Sequence, residues 1–434
     1  LTQSSTRKKR MRQLDAGIHQ TRQMAVGINS RKGFSLKQAL IPSIDAQQRF
    51  FALVLGVIAA SLGGLFLARA EVKLGELPGL LMLIPGAIAL RGNIFGAMGS
   101  RLGTAVHTGT FRLSLRKDGV VGQNLLAAAI LTLLLSVVLA VIGRGAVSLF
   151  GISSTMSLGD FIVISTLGGV LASAAVVLIT LILVAGSVRY RWDLDNVTSP
   201  LVTAFGDLVT VPALLLAANL ISNSSSVNLL ATLIVIIVLV GTLLMWRLGE
   251  SNLHQITRQS IPVLFFAILI DVAAGVIVEK RITDLLTSKS VLIMLPAFLA
   301  TAGALGGILS SRLSTQFHLG LDDATPIPSR TSARNIQSLI ALAVPVFIFA
   351  ASAAHILGVI TNQNAPGFWQ LVLIALLGGS LAIIMVTVIA YYSTMAAFRF
   401  GLDPDTYGIP MVTSSLDLVG AFTLVIAMVA VGVA

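Results

Sequence analysis

Read as a string of apolar and polar positions, the chain is a succession of apolar runs from Phe50 to its end. Each is about 20 residues long, the length a helix needs to cross the hydrocarbon core of a bilayer. The pattern predicts spans near 50–70, 79–108, 122–150, 160–188 and 199–221. A polar loop, Ser222 to Asn228, leads to a single bland span near 229–247. Further spans are expected near 258–279, 290–318, 333–359, 368–398 and 408–433.

The later spans repeat the early ones. The segment RWDLDNVTSPLVTAFGDLVTVP, from Arg191 to Pro212, returns as RFGLDPDTYGIPMVTSSLDLVG. In that register Asp193 falls on Asp403, Asp195 on Asp405, Pro200 on Pro410, Thr203 on Thr413 and Asp207 on Asp417. The second spans, PGAIALRGNIFGAMGSRLGTAVHTG and PAFLATAGALGGILSSRLSTQFHLG, pair Pro85 with Pro296, Gly92 with Gly303 and Gly96 with Gly307. Internal repeats are common in membrane transport proteins and place the substrate site where the repeats meet.

Five spans per repeat would leave the two repeats in opposite orientations, and the unmatched span at 229–247 restores a parallel arrangement. The expected architecture is an all-α polytopic membrane protein of about 11 transmembrane helices. It comprises a basic tail (1–47), a first repeat (48–221), a linker helix (222–250) and a second repeat (251–434). The repeats are expected to be related by a pseudo-two-fold axis along the membrane normal, in effect a fused dimer.

Composition agrees with this reading. The chain is 56% hydrophobic and 11% charged, with a mean hydropathy of +0.93, and this leaves no place for a sizeable soluble domain. Of the net charge of +11, residues 1–49 carry +8, with ten Lys/Arg against Asp15 and Asp45. Ahead of a first span, such a tail marks the cytoplasmic side and touches anionic lipid head groups; nucleic acid is not the expected partner. The remaining loops fit the positive-inside rule, and the plasma membrane is the expected location. There are no cysteines, so only oxygen ligands and imidazoles remain for a metal.

The chemistry concentrates in the repeated segments. Ser199, Thr203 and Asp207 recur every fourth residue, so in a helix they share one slowly turning face. Opposite them across the axis come Ile409, Thr413 and Asp417. A carboxylate inside a membrane helix is costly and marks a functional site by default. Two facing carboxylates cannot both stay ionised without a counter-ion. A divalent cation supplies one, and Mg²⁺, which keeps its waters and is held through them by one or two carboxylates, suits an all-oxygen site. Asn93 adds a neutral oxygen, although its repeat partner is Ala304. Asp195 and Asp405, five residues ahead of Pro200 and Pro410, read either as ion-access residues or as helix caps. Asp271 lies in mid-span, matched by Ala60 in the first repeat. It reads either as a proton or sodium coupling site or as a partner of a polar group on a neighbouring helix.

At the paired segments the chain resembles the MgtE family of magnesium channels and the related solute carrier family 41. The likeness rests on PLVTAFGD and PMVTSSLD, each preceded by an acidic DLDN or DPDT, and on the RGN at Arg91–Asn93. It implies that Asp207 and Asp417 coordinate hydrated Mg²⁺ in a central pore, with Ser199 and Thr203 in the same selectivity region. The tandem arrangement is closer to solute carrier family 41. The acidic and CBS domains through which MgtE proteins sense Mg²⁺ have no counterpart in the basic tail of 47 residues, so their gating is not implied.

The reading is therefore a non-enzymatic transporter of divalent cations, Mg²⁺ first, along a path lined by paired aspartates. The alternatives are an Na⁺- or H⁺-coupled exchanger, a carrier of other divalent cations and, remotely, an intramembrane aspartyl protease built on the two aspartates. Against the protease, the aspartates are repeat copies in similar segments, and PAL at 212–214 follows Asp207 too closely.

Overall fold

The computed structural model describes residues 44–107, 111, 114, 116, 119–153, 156–190, 194–220, 224–248, 251–363, 366–401 and 408–433. Thirteen helices occupy them: α1 (Ile44–Arg69), α2 (Glu71–Glu76), α3 (Leu80–His107), α4 (Val120–Leu149), α5 (Leu158–Tyr190), α6 (Leu194–Asn219), α7 (Ser224–Leu248), α8 (Ser251–Glu279), α9 (Ile282–Thr287), α10 (Lys289–His318), α11 (Arg330–Ile360), α12 (Phe368–Arg399) and α13 (Ile409–Val431). Eleven are long and apolar enough to span a membrane, and they match the eleven runs expected from the sequence. The two short helices, α2 and α9, were not anticipated. Each is a single amphipathic turn or so between a first and a second span, too brief to leave a periodic signature.

Burial separates the centre of the bundle from its rim. The most apolar windows of α3 and α10 are 72% and 78% buried, against 22% for α7. The second spans of the two repeats are therefore central. The linker helix α7 packs mainly on α4 and α5, touches α8 where the Trp246 carbonyl meets His254, and turns most of its apolar surface outward. With every long helix crossing once, spans one and seven run in the same direction, as the single linker requires.

The first span of each repeat packs on the fifth span of its own repeat and also reaches across to the other repeat. Helix α8 lies against α3 and α4 of the first repeat as well as against α13 of its own. The backbones meet where side chains vanish: a Cβ on Gly275 would collide with the Met82 carbonyl of α3. The same contact recurs at the equivalent place, where a Cβ on Gly64 of α1 would collide with the Ile293 carbonyl of α10. One residue earlier, Gly63 approaches α6 so closely that a Cβ would stand 2.8 Å from the Asp207 carbonyl oxygen. Close backbone approach at small residues is how membrane helices gain packing energy without a hydrophobic driving force between them.

A buried carboxylate fastens the exchange at one end. Glu279, the last residue of α8, is 4% exposed and accepts a 2.8 Å hydrogen bond from the Gly79 N–H. The Leu81 and Met82 N–H groups face the same carboxylate, so it closes the open N-terminus of α3 from the opposite repeat. Gly79 sits at φ 99°, a backbone state that any other residue would enter under strain.

Since the helix exchange relies on bare backbone at two equivalent places, enlarging either should loosen it. Gly64→Ala and Gly275→Ala are each expected to cost about 1–3 kcal/mol, the usual penalty of overpacking. The double variant should lose nearly the sum. Thermal unfolding of the detergent-solubilised protein checks this, and unchanged midpoints would show that the contacts relax freely.

Candidate cation site

The fifth spans, α6 and α13, deliver polar side chains into the centre of the bundle. In α6, Asp207 is 2% exposed and its Oδ2 has no hydrogen-bond partner. In α13, Asp417 is partly exposed. The two carboxylates lie within electrostatic reach of each other, one from each repeat. Among the described residues neither has an ion-pair partner, because the salt bridges present, Lys73–Glu76, Arg281–Asp284 and Lys289–Glu71, lie elsewhere.

The threonines one turn earlier occupy equivalent settings. Thr203 rests against Gly92 of α3, where a Cβ would come within 3.5 Å of its methyl group. Thr413 rests against Gly303 of α10, where a Cβ would stand 3.9 Å from Thr413 and 4.0 Å from Asp417 Oδ1. The glycine stripes of the second spans therefore make room for the polar faces of α6 and α13. At Gly307 a Cβ would meet nothing within 4 Å, so the second stripe opens instead of forming a tight seam.

Asn93 crosses between the repeats. Thr413 Oγ1 donates to Asn93 Oδ1 at 3.3 Å while also lying 3.0 Å from the Ile409 carbonyl and 3.1 Å from that of Pro410. The Asn93 Nδ2 has no hydrogen-bond partner. The side-chain positions of Ser199 and Asp195 in α6, and the whole of Asp405 with Asp403, lie outside the described residues. His318 bonds the Ser314 carbonyl at 2.8 Å and packs edge-on against Phe398.

Two residues here carried little signal in the sequence. Arg91, in the centre of α3, is 1% exposed, so α3 brings a cation into the middle of the bundle. Its Nη1 donates to the Ala87 carbonyl at 2.8 Å and its Nη2 to Ser136 Oγ at 3.2 Å. Gly169 and Gly206 supply the space it fills. Ser414, between Thr413 and Asp417, is fully buried. The sequence held one trace of it, a serine where the first repeat has Ala204. Asp271 of α8 is 1% exposed, beside Ser414 and within electrostatic reach of Asp417.

Among the described residues no three acidic or imidazole side chains gather closely enough to grip a bare metal ion together. The arrangement suits an ion that keeps its waters and is touched through them.

The comparisons with known proteins agree with the repeat. The MgtE family, described as "Divalent cation transporter", matches twice, over residues 84–217 and 295–427. Solute carrier family 41 member 3 of Rattus norvegicus is 23% identical over 363 residues, covering 80% of this chain and 78% of its own. Solute carrier family 41 member 2 of Xenopus laevis is 26% identical over 376 residues, covering 80% of this chain and 64% of its own. The human member 2 is 24% identical over 374 residues, covering 80% and 63%. No solved structure matches. Two matched copies, together more than half of the chain and each holding one of the paired aspartates, make this protein a member of the MgtE family of divalent cation transporters.

Proposed function

We propose that the chain carries hydrated Mg²⁺ across the membrane between its two repeats, with Asp207 and Asp417 holding the ion from either side. The observation that carries this reading is the pair itself. Equivalent helices present equivalent aspartates within electrostatic reach of one another, with no ion pair to either among the described residues. A buried carboxylate without donors or counter-ion is unstable as a structural feature. It makes sense as a place for cargo. A doubly charged ion offsets both charges at once, and its retained waters span the distance that direct ligation would not.

The other polar groups take supporting roles. Thr203, Thr413 and Ser199 offer hydroxyls to the hydration shell one and two turns from the aspartates, and Asn93 fixes Thr413 from the opposite repeat. Asp195 and Asp405 stand at the cytoplasmic approach. The two repeats act as a fused pseudo-dimer about an axis along the membrane normal. The basic N-terminal residues face the cytoplasm and the anionic lipid of the plasma membrane. Nothing in this scheme cuts a bond, so the two aspartates serve as ion ligands and not as a protease dyad.

Asp207→Asn and Asp417→Asn each remove one unit of charge at constant shape. Two unit charges about 4 Å apart interact by about 4 kcal/mol at an effective dielectric near 20, and a divalent ion by more. Each variant should therefore lose on the order of 10²-fold or more of Mg²⁺ flux into proteoliposomes while keeping its melting temperature. Wild-type flux in both variants at equal protein density would remove the aspartates from the path.

Asn93→Ala deletes a neutral hydrogen bond worth about 1 kcal/mol. It should weaken the apparent Mg²⁺ affinity roughly 5-fold and leave maximal flux near that of the wild type. An unchanged affinity would reduce Asn93 to a packing residue.

A further inference from the structure

Where the linker helix ends and the second repeat begins, α7 and α8 lean on a third helix more than on each other. They touch where His254 Nε2 donates to the Trp246 carbonyl at 3.0 Å. For the rest they rely on α4. Asn252 Nδ2 donates to Gln123 Oε1 at 3.2 Å, and Met245 and Leu253 pack with Ala127. Beside these contacts the two helices part around an open cavity of about 490 Å³, lined by Trp246, His254 and Arg258.

The lining is aromatic and cationic. His254 and Arg258 are four residues apart and share one face of α8. Among the described residues neither Arg258 nor Arg247, the neighbour of Trp246, enters a salt bridge. Helix α7 contains no acidic residue, and α8 contains none before Asp271. The side chain of Glu250, between the two helices, lies outside the described residues. The repeat does not account for the cluster either. The positions equivalent to His254 and Arg258 are Ser43 and Gln47, and Trp246 belongs to the unmatched linker.

A guanidinium beside an imidazole calls for an anion, and the fork of an arginine fits the oxygens of a phosphate. The surroundings say which kind of phosphate. Along α7 the side chains of Leu239 and Leu243 are exposed, and along α8 so is that of Phe266, two turns beyond Arg258. Trp246 is 70% exposed, an indole of the kind that sits where head groups meet acyl chains. A free anion gains nothing from apolar walls, whereas a phospholipid has chains to lay on them.

We propose that the cavity between the end of α7 and the start of α8 binds the phosphate of an anionic membrane phospholipid, held by Arg258 and His254 beside Trp246. The chains of that lipid lie along the outward apolar faces of the two helices. That it comes from the cytoplasmic leaflet rests on the orientation proposed above. Helix α7 is held by the first repeat and α8 belongs to the second, so the bound lipid bridges the repeats at their covalent joint.

The test follows the melting temperature of the full chain in neutral detergent as phosphatidylglycerol, phosphatidylcholine, inorganic phosphate or glycerol phosphate is titrated at constant ionic strength. Wild type should gain stability saturably with phosphatidylglycerol, little with phosphatidylcholine and none with the two soluble phosphates. Arg258 is exposed, so Arg258→Gln should melt with the wild type in the absence of lipid. It should need roughly 10-fold or more phosphatidylglycerol to reach half of the gain, the usual loss of one charge-assisted hydrogen bond. Arg334→Gln removes the same charge from the exposed start of α11 and should bind as the wild type does. An Arg258→Gln titration that overlays the wild type, or equal gains from the two lipids, would overturn the site. Equal gains from inorganic phosphate would overturn the lipid as its occupant. The chain has no cysteine, so Gln255→Cys, at an exposed position of α8, reports the leaflet through a membrane-impermeant maleimide. Labelling from the cytoplasmic side alone supports the leaflet, and labelling from the outer side alone overturns the orientation while the lipid site stands.

Discussion

The cost of keeping charge out of water governs this molecule. Among the described residues four ionisable side chains, Arg91, Glu279, Asp207 and Asp271, lie buried within or at the ends of its spans, with Asp417 partly exposed at the centre, and the protein treats them in two ways. Arg91 is given a carbonyl and a hydroxyl. Glu279 is given the N-terminus of a helix. Asp207, Asp271 and Asp417 have no ion-pair partner among the described residues. Arg91 and Glu279 each find partners for some of their polar atoms, while Arg91 Nε and Glu279 Oε2 remain without one. Leaving the three aspartates without a counter-ion at the centre is what a path for cations requires, because a carboxylate already committed to the protein has little left for an ion.

Much of this was legible in the residues. Span count, the repeat and the paired aspartates follow from apolar run length and from self-similarity, both of which act along the chain. Asp207 and Asp417 stood out because an acidic residue in an apolar run has few structural excuses. Ser414 did not, since a serine in a membrane helix usually bonds its own backbone and leaves no mark. Arg91 was visible only inside a short motif, as nothing in the sequence says whether an arginine snorkels to the surface or stays buried. Nor does self-similarity reveal which copy a helix packs against. Gly64 and Gly275 read as ordinary small residues until the partner backbone is in place.

The exchanged first helices bear on how the fold is reached. The bond from Gly79 to Glu279 joins residues 200 positions apart, and α1 finds α10 only after most of the chain has been made. Part of each first helix is covered only by the other repeat, so that contact waits until the other repeat is made. Contacts of such sequence separation are slow to form and leave surfaces exposed in the meantime. The broad apolar exterior of these helices is sheltered by lipid during that wait, and the polar centre closes last.

Among the described residues the linker α7 packs mainly on α4 and α5, yet it changes what the space between the repeats can become. In a dimer of identical chains every mutation is made twice, and each side of the axis must accept it. Joined by one crossing helix, the two copies share an axis without sharing a sequence. Ala60 and Asp271 can then face the same path from opposite sides, and natural selection can act on each half separately.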